Sequence, residues 1–241
     1  MKIALCFYGQ PRSVPKSFNT IRDNLIIPNE IKDVFVHTWW RPELVNYRDN
    51  TDSGPRTDIK EEYLDFVKKN YNPKSILIED DLKILFHSSD LITKYLKPAA
   101  SLDRLFPSFY SRFKVFYLLK EYEETNNLKY DAVVISRLDT FIKKSINISE
   151  LDLNQIHINS IEWNPTKDNR YTSDFLIISN RQLMEIYSEI YNEMPAIAER
   201  MATLKEIPYF AESIAGNHLN YYNIIHQPTF HTRDEVALAR H

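Results

Sequence analysis

A guanidinium and a carboxylate follow an apolar stretch that has the composition of a buried strand. The stretch covers residues 130–141 and reads YDAVVISRLDTF, so Arg137 and Asp139 come near its end. Runs of Val and Ile are typical of buried parallel strands, and the ligands of α/β sheets gather at the carboxyl ends of such strands. Because side chains alternate along a strand, the two charges are expected on one face, with Leu138 on the other.

This pair of charges suits a phosphate that is bound together with a divalent cation. The Asp139 carboxylate is of the type that holds the cation, and the forked guanidinium of Arg137 matches phosphate oxygens. The alternative is an ion pair that only closes the end of the strand, since structural ion pairs are common and the motif is short.

The chain has only three glycines, and their positions exclude two common nucleotide sites. A Walker A loop and a G-x-G-x-x-G turn both need clustered glycines. Gly9, Gly54 and Gly216 are far apart in the sequence. Any phosphate is therefore expected to be bound through side chains and a metal ion.

The overall composition predicts one α/β domain over residues 1–241. The chain has 241 residues, of which 43% are hydrophobic, enough for a sizeable core. Its 30 basic and 33 acidic residues are interspersed, which argues against a nucleic-acid-binding face. A single cysteine, Cys6, excludes an internal disulfide and a cysteine-based zinc site. With no signal peptide and no apolar run of about 18 residues, we expect a cytoplasmic protein without a transmembrane segment.

The elements that position these residues are predicted from hydrophobic periodicity and from turn residues. Strands alternate with helices, which predicts an α/β fold with a mostly parallel central sheet, flanking helices and a helical C-terminal part. The predicted strands cover residues 2–8, 33–39, 75–79, 155–159 and 174–179, and a further strand begins at residue 130 and ends over residues 136–139. Residues 224–232 are expected to form a late strand or an extended tail. The predicted helices cover residues 17–26, 59–70, 109–126, 181–193 and 212–221.

Several motifs occur together in one order along nearly the whole chain. They are GQPRS after the first strand, DVFVHTWW at the second, YDAVVISRLD, the SDFLIIS strand and the helix that contains Glu212. This set resembles small bacterial and viral nucleotide-sugar glycosyltransferases with the GT-A fold. The resemblance implies a Rossmann-like sheet that holds a nucleotide-diphosphate sugar at the ends of its first strands. It also implies a D-x-D element that binds Mn or Mg.

The D-x-D element reads Arg137, Leu138, Asp139 in this chain, so its first acidic position is an arginine. The resemblance therefore leaves Asp139 as the metal ligand of this element, with His231 in the C-terminal tail as a second candidate. Cations are needed at the donor because the diphosphate gains charge as the glycosidic bond breaks. The candidate nucleotide-sugar-binding residues are Tyr8, Gly9, Arg12, His37, Ser111, Lys114 and Arg137.

A transferase of this kind also needs a carboxylate near the acceptor. It takes the proton from the acceptor hydroxyl or stabilises the positively charged sugar carbon. Asp174 and Glu212 are the candidates; the alternatives are a solvated strand start for Asp174 and an exposed helical position for Glu212. The expected acceptor is a glycan or a lipid-linked sugar, as in polysaccharide biosynthesis.

Two other functions remain open at this point. A sugar nucleotidyltransferase would use a related sheet, but such enzymes usually carry a glycine-rich loop after the first strand, where GQPRS has one glycine. A noncatalytic protein that binds sugar nucleotides or carbohydrates would explain the missing first acid of the D-x-D element.

Overall fold

The structure is a computed structural model that describes residues 1–45, 59–80, 102–160, 172–173, 175–203, 211–230 and 234–238. Within these residues, seven strands form a central sheet and two more form a small second sheet. The strands of the central sheet are β1 (Ile3–Gly9), β2 (Asp33–Trp39), β3 (Ser75–Glu79), β4 (Ala132–Arg137), β6 (Ile156–Asn159), β7 (Leu176–Asn180) and β8 (His226–Phe230). The small sheet pairs β5 (Thr140–Ile142) with β9 (Val236–Leu238).

Six α-helices are present in the described parts of the chain. They are α1 (Val14–Ile21), α2 (Glu62–Tyr71), α3 (Leu102–Asn126), α4 (Arg181–Ser188), α5 (Ile190–Thr203) and α6 (Ala211–Tyr221). The first continues as a π-helical turn over Arg22–Ile26. The predicted helix over residues 181–193 is in fact two helices, and α5 continues past Pro195. No helix of the described residues is long and apolar enough to cross a membrane.

The central sheet is mostly parallel, as predicted. Four strands run parallel in the order β3-β2-β1-β4. Next to them, β7 runs antiparallel to β4 and to β6, and β8 runs parallel to β6. The chain goes from β1 to its neighbour β2 on one side and later returns to pair β4 on the other side. The strand order therefore reverses at β1, which is where open α/β sheets bind their ligands.

Helices pack on both faces of the sheet and bury two apolar clusters. On one face, α3 and the C-terminal helices cover residues such as Phe35, Val133 and Ile177. On the other face, α1 and α2 cover residues such as Leu5 and Val134. Strands β1, β2 and β4 are almost wholly buried, which explains their continuous apolar sequences, whereas β3 is half-buried.

The strand with the two charges ends earlier than predicted. β4 stops at Arg137, and Leu138 and Asp139 form a turn before β5. The turn is held from outside the sheet, because the Ser17 hydroxyl donates to the Leu138 carbonyl at 2.6 Å. The Leu138 side chain is fully buried in the cluster beneath α1 and α2. The expectation that Arg137 and Asp139 both lie on the strand is therefore wrong for Asp139, which lies in the turn.

Candidate functional site

The candidate site is the carboxyl edge of the parallel strands, centred on the end of β1. Tyr8 pairs with His37 of β2 on one side and with Arg137 of β4 on the other. Glu79, the last residue of β3, pairs with Trp39 one strand further out. Because parallel strands end at the same edge, residues far apart in sequence are collected here.

Gly9 ends β1 in a backbone conformation that favours glycine. Its φ angle is 93°, which a residue with a side chain adopts only with strain. A methyl group on its α-carbon would have no described neighbour within 4 Å. The turn that follows is compact: the Arg12 amide donates to the Gln10 carbonyl at 2.8 Å, and the Arg12 guanidinium donates to the Gln10 side chain. The backbone at Gly9 is therefore open to close approach.

Arg137 and Asp139 form a two-pronged ion pair beside this turn. Nε and Nη2 of Arg137 each donate to a different oxygen of Asp139, both at 2.8 Å. The Asp139 side chain is only 6% exposed and that of Arg137 is 20% exposed. The Arg137 guanidinium also lies 5.7 Å from the centre of the Phe175 ring. Arg137 and Asp139 therefore form an ion pair at the end of the strand, which the sequence analysis gave as the alternative to a site for phosphate and a cation.

This donor set does not fit a divalent cation as it stands. Both oxygens of Asp139 already accept from a guanidinium, and a metal ion on the same carboxylate would face that positive charge. His231, the other predicted ligand, lies outside the described residues. Metal binding at Asp139 stays a prediction.

A buried chain of hydrogen bonds joins four elements at the same edge. The amide of Gly9 donates to Ser111 Oγ of α3 at 3.0 Å. Ser111 Oγ lies 2.6 Å from Nδ1 of His37, and Nε2 of His37 lies 2.7 Å from a carboxylate oxygen of Glu79. The hydroxyl of Tyr110 donates to the other oxygen of Glu79 at 3.1 Å. Burial lowers the pKa of His37, although Glu79 opposes the shift.

Serine, histidine and glutamate in this order have the residue types of a nucleophilic triad. Ser111 and His37 are both fully buried, however, and the Ser111 oxygen already accepts from the Gly9 amide. A substrate cannot reach that hydroxyl in this structure. The arrangement holds the backbone rather than presenting a nucleophile.

The remaining predicted donor-binding residues lie close to this chain of bonds. Tyr8 is buried, and its ring lies 5.0 Å from the guanidinium carbon of Arg112. Lys114 is half-buried on α3, with Nζ 5.2 Å from the centre of the Tyr110 ring. Tyr110 in turn stacks on Trp39, with ring centres 5.4 Å apart.

The candidate carboxylate Glu212 approaches the same edge through a short segment. It is half-buried in the first turn of α6, and its backbone carbonyl accepts from the amide of Thr172 at 3.0 Å. Three residues on, the carbonyl of Phe175 accepts from the amide of Arg137 at 3.1 Å. Three residues span at most about 11 Å, so the start of α6 lies near the end of β4. Asp174, the other candidate, lies outside the described residues.

Three residues at this edge are not among the candidate site residues predicted from the sequence: Glu79, Tyr110 and Arg112. Glu79 had a signal, because it is the final residue of the predicted strand SILIE and ends at the same edge as His37. Arg112 had none: it is a buried guanidinium that donates to the Tyr187 hydroxyl at 2.7 Å and to Ser108 at 2.8 Å. Such a position depends on how α3 packs.

Comparison with known proteins adds no assignment. No protein-family model matches the chain, and no curated protein sequence matches it.

Proposed function

We propose that the chain is a glycosyltransferase that moves a sugar from a nucleotide-diphosphate sugar to a glycan or glycolipid acceptor. The observation that carries the proposal is the juxtaposition of the open Gly9 turn and the Arg137 guanidinium at the point where the strand order reverses. Ligands of open α/β sheets bind at such a point. The mostly parallel sheet with helices on both faces is consistent with the Rossmann-like sheet that the resemblance implies.

The charges at this edge suit a diphosphate leaving group. In the proposed reaction the acceptor oxygen bonds to the anomeric carbon of the sugar, and the bond from that carbon to the diphosphate breaks. The nucleoside diphosphate leaves with the electron pair. Arg137, and Arg12 in the turn after β1, supply positive charge for the phosphate oxygens, and the glycine permits close backbone approach.

The acceptor hydroxyl must lose a proton during this transfer. Glu212 is the described carboxylate that we propose as the base, because the segment 172–175 joins its helix to the end of β4. Asp174 within that segment is the second candidate. A general base contributes about a hundredfold or more to turnover.

A second candidate function is binding of a sugar nucleotide without turnover. The pairing of Asp139 with Arg137 favours it, because the carboxylate that the resemblance assigns to the metal is already engaged. Turnover of a bound donor, measured as release of nucleoside diphosphate, distinguishes the two functions.

The first test is a thermal-shift screen of the purified protein against UDP, GDP, CDP and dTDP sugars. Each donor is added with Mn, Mg or EDTA, because a ligand of the native state raises the melting temperature. We expect one nucleotide family to stabilise the protein. Stabilisation that needs Mn or Mg supports the predicted metal, and stabilisation that persists in EDTA assigns the phosphates to Arg137 and Arg12. No response to any donor would contradict the proposal.

The role of Glu212 is tested by Glu212→Gln, which keeps the shape of the side chain and removes its charge. We expect turnover to fall about a hundredfold, with donor affinity nearly unchanged. Glu189→Gln is the matched control, because Glu189 is also half-buried in the C-terminal helical part and bonds to Asn192. Wild-type turnover in Glu212→Gln would remove Glu212 from catalysis and leave Asp174→Asn as the next variant.

A further inference from the structure

His37 and Ser111 take part in a set of hydrogen bonds at the end of β1. The relevant set, which we name the His37 network, consists of Gly9, His37, Glu79, Tyr110 and Ser111. It joins the end of β1 to β2, β3 and α3. Both His37 and Ser111 have 0% of their surface exposed, so a direct contact with a donor would require their exposure.

The positions of the protons in the His37 network can be inferred from the groups at its two ends and from the burial of the ring. At one end, the Gly9 amide can only donate, so Ser111 Oγ accepts this bond. At the other end, the carboxylate of Glu79 accepts from Nε2–H of His37 and from the Tyr110 hydroxyl. Burial lowers the pKa of His37 and so favours the neutral ring. With its one proton on Nε2, the ring has an unprotonated Nδ1, and the Ser111 hydroxyl donates to it. Each group in the His37 network then has a hydrogen-bond partner, and removing one group leaves its neighbour in the network without that partner.

The network fixes the part of the backbone that the proposed donor approaches. Gly9 adopts a positive φ angle, and its amide is tied to α3 through Ser111. The orientation of the Ser111 hydroxyl depends on His37, and the orientation of the ring depends on Glu79. The charged groups that face the ring are Glu79 and, from α3, Lys114.

We propose that His37 and Ser111 are positioning residues for the donor, which act through the backbone of Gly9 instead of touching the nucleotide. This inference rests on the proposed glycosyltransferase function. It assigns a role to Glu79 as well, because Glu79 selects the tautomer in which Nδ1 can accept from Ser111. A distorted Gly9 turn weakens donor binding and leaves the chemical step of the bound donor largely intact.

The test uses two substitutions of His37, each of which keeps one of the two hydrogen bonds of the ring. The amide of His37→Asn lies where Nδ1 was and can still bond to Ser111. The amide of His37→Gln reaches the place of Nε2 and can bond only to Glu79. Both variants remove the ring and are expected to lose similar stability. The probe is the nucleotide sugar that stabilises the wild type most in the thermal-shift screen.

A matched control comes from a histidine two strands beyond β4. His157 on β6 is also buried, with Nδ1 2.7 Å from the Thr229 hydroxyl and Nε2 2.9 Å from the Asp152 carbonyl. His157→Gln therefore disrupts a similar set of bonds in the same sheet. It should lower the melting temperature and leave the dissociation constant of the donor unchanged.

We expect Ser111→Ala and His37→Gln to raise the dissociation constant of the donor about tenfold, the effect of losing one hydrogen bond in a buried network. His37→Asn should stay within about threefold of the wild type. In Ser111→Ala and His37→Gln, turnover at saturating donor should fall by a smaller factor than donor affinity does, which is the split expected of positioning residues. Wild-type donor affinity in Ser111→Ala and His37→Gln would overturn the inference while the proposed function stands. An equal loss in His37→Asn and His37→Gln would also overturn it, since loss of the ring alone would then explain both. Failure of every nucleotide sugar to bind the wild type would overturn the function and this inference together.

Discussion

The ion pair between Arg137 and Asp139 determines how positive charge is presented at the edge of the sheet. Two parallel hydrogen bonds fix the plane of the guanidinium, which a single contact would leave free to rotate. The ring of Phe175 packs near the guanidinium and limits its rotation further. A preorganised cation costs less to align with a phosphate than a flexible surface lysine does.

We expect Arg137→Ala to weaken donor binding roughly ten- to hundredfold, the worth of charge-assisted hydrogen bonds to phosphate. The substitution also leaves the Asp139 carboxylate without its described partner, at a cost in stability of about 1–3 kcal/mol. Isothermal titration with the donor measures the first effect, and chemical denaturation measures the second.

Arg181→Ala is the control for this prediction. Arg181 is 16% exposed and pairs with Glu123 and Glu185. It follows the end of β7, whose last residue pairs with the start of β4 at the opposite edge of the sheet. A similar loss of stability without loss of donor binding is expected. Equal donor binding in both variants would contradict the role of Arg137.

Two fully buried histidines, His37 and His218, should make the stability of the protein depend on pH. Burial lowers the pKa of both His37 and His218, so the native state keeps them neutral. In the unfolded chain, histidine titrates near about pH 6.5. Their contribution is therefore fully present above that pH and is lost as the pH falls towards the lower pKa of the native state. We expect urea denaturation to give a smaller free energy of unfolding at pH 5.5 than at pH 7.5.

The control for the pH prediction removes one titrating group at a time. His37→Asn and His218→Asn should each reduce the difference between the two pH values by up to about 1.4 kcal/mol, because pH 5.5 lies about one unit below the pKa of histidine in the unfolded chain. The charged groups that act on His218 are Glu193, Arg200 and Glu189. An unchanged difference in both variants would show that other groups cause the pH dependence.

At the scale of elements, the sequence predicted most strands but not the direction of all of them. The bounds of β2 and β3 agree with the predicted ranges 33–39 and 75–79. For β7, a continuous apolar run reads the same whether its neighbours are parallel or antiparallel, so its reversed direction could not be inferred. The end of β4 was misplaced because the bond from Ser17 to the Leu138 carbonyl joins residues 121 positions apart.

The turn at the end of β1 is the element whose backbone the proposed function depends on most. Gly9→Ala should destabilise the protein by about 1–2 kcal/mol, because a residue with a side chain is strained at a positive φ angle. The added methyl group would project into the open space beside the turn. We therefore expect donor binding to weaken as well, measured by the thermal shift that the donor produces.

Asn72→Ala is the matched control for the strained backbone at Gly9. Asn72 ends α2 with a φ angle of 43°, so alanine is disfavoured there too. This position precedes β3 and therefore lies towards the opposite edge of the sheet. A similar loss of stability with unchanged donor binding is expected. Unchanged donor binding in Gly9→Ala as well would place the donor elsewhere.

At the scale of the whole molecule, the grouping of the candidate residues at one edge of the sheet was predictable, and the hydrogen bonds among them were not. Parallel strands end at one edge, so Tyr8, His37 and Arg137 could be placed together from the sequence. The bond between His37 and Ser111 joins residues 74 positions apart and depends on the rotation of α3 against the sheet. Hydrophobic periodicity locates the buried face of a helix, but it does not say which polar side chain on that face meets which strand.

The location of the site in the molecule leads to a prediction about hydrogen exchange. The stabilising nucleotide sugar should slow amide exchange in residues 9–13 and 137–140, because it would contact and rigidify the backbone at the end of β1 and the turn after β4. Bound ligand stabilises the whole native state and slows exchange uniformly. Residues 156–159 and 226–230, on the far side of the sheet, should show this uniform slowing and no additional protection. Exchange measured by mass spectrometry with and without the donor tests this. Protection centred on β6 and β8 would contradict a site at the β1 edge, and it would move the search for the sugar-nucleotide site to the other half of the sheet.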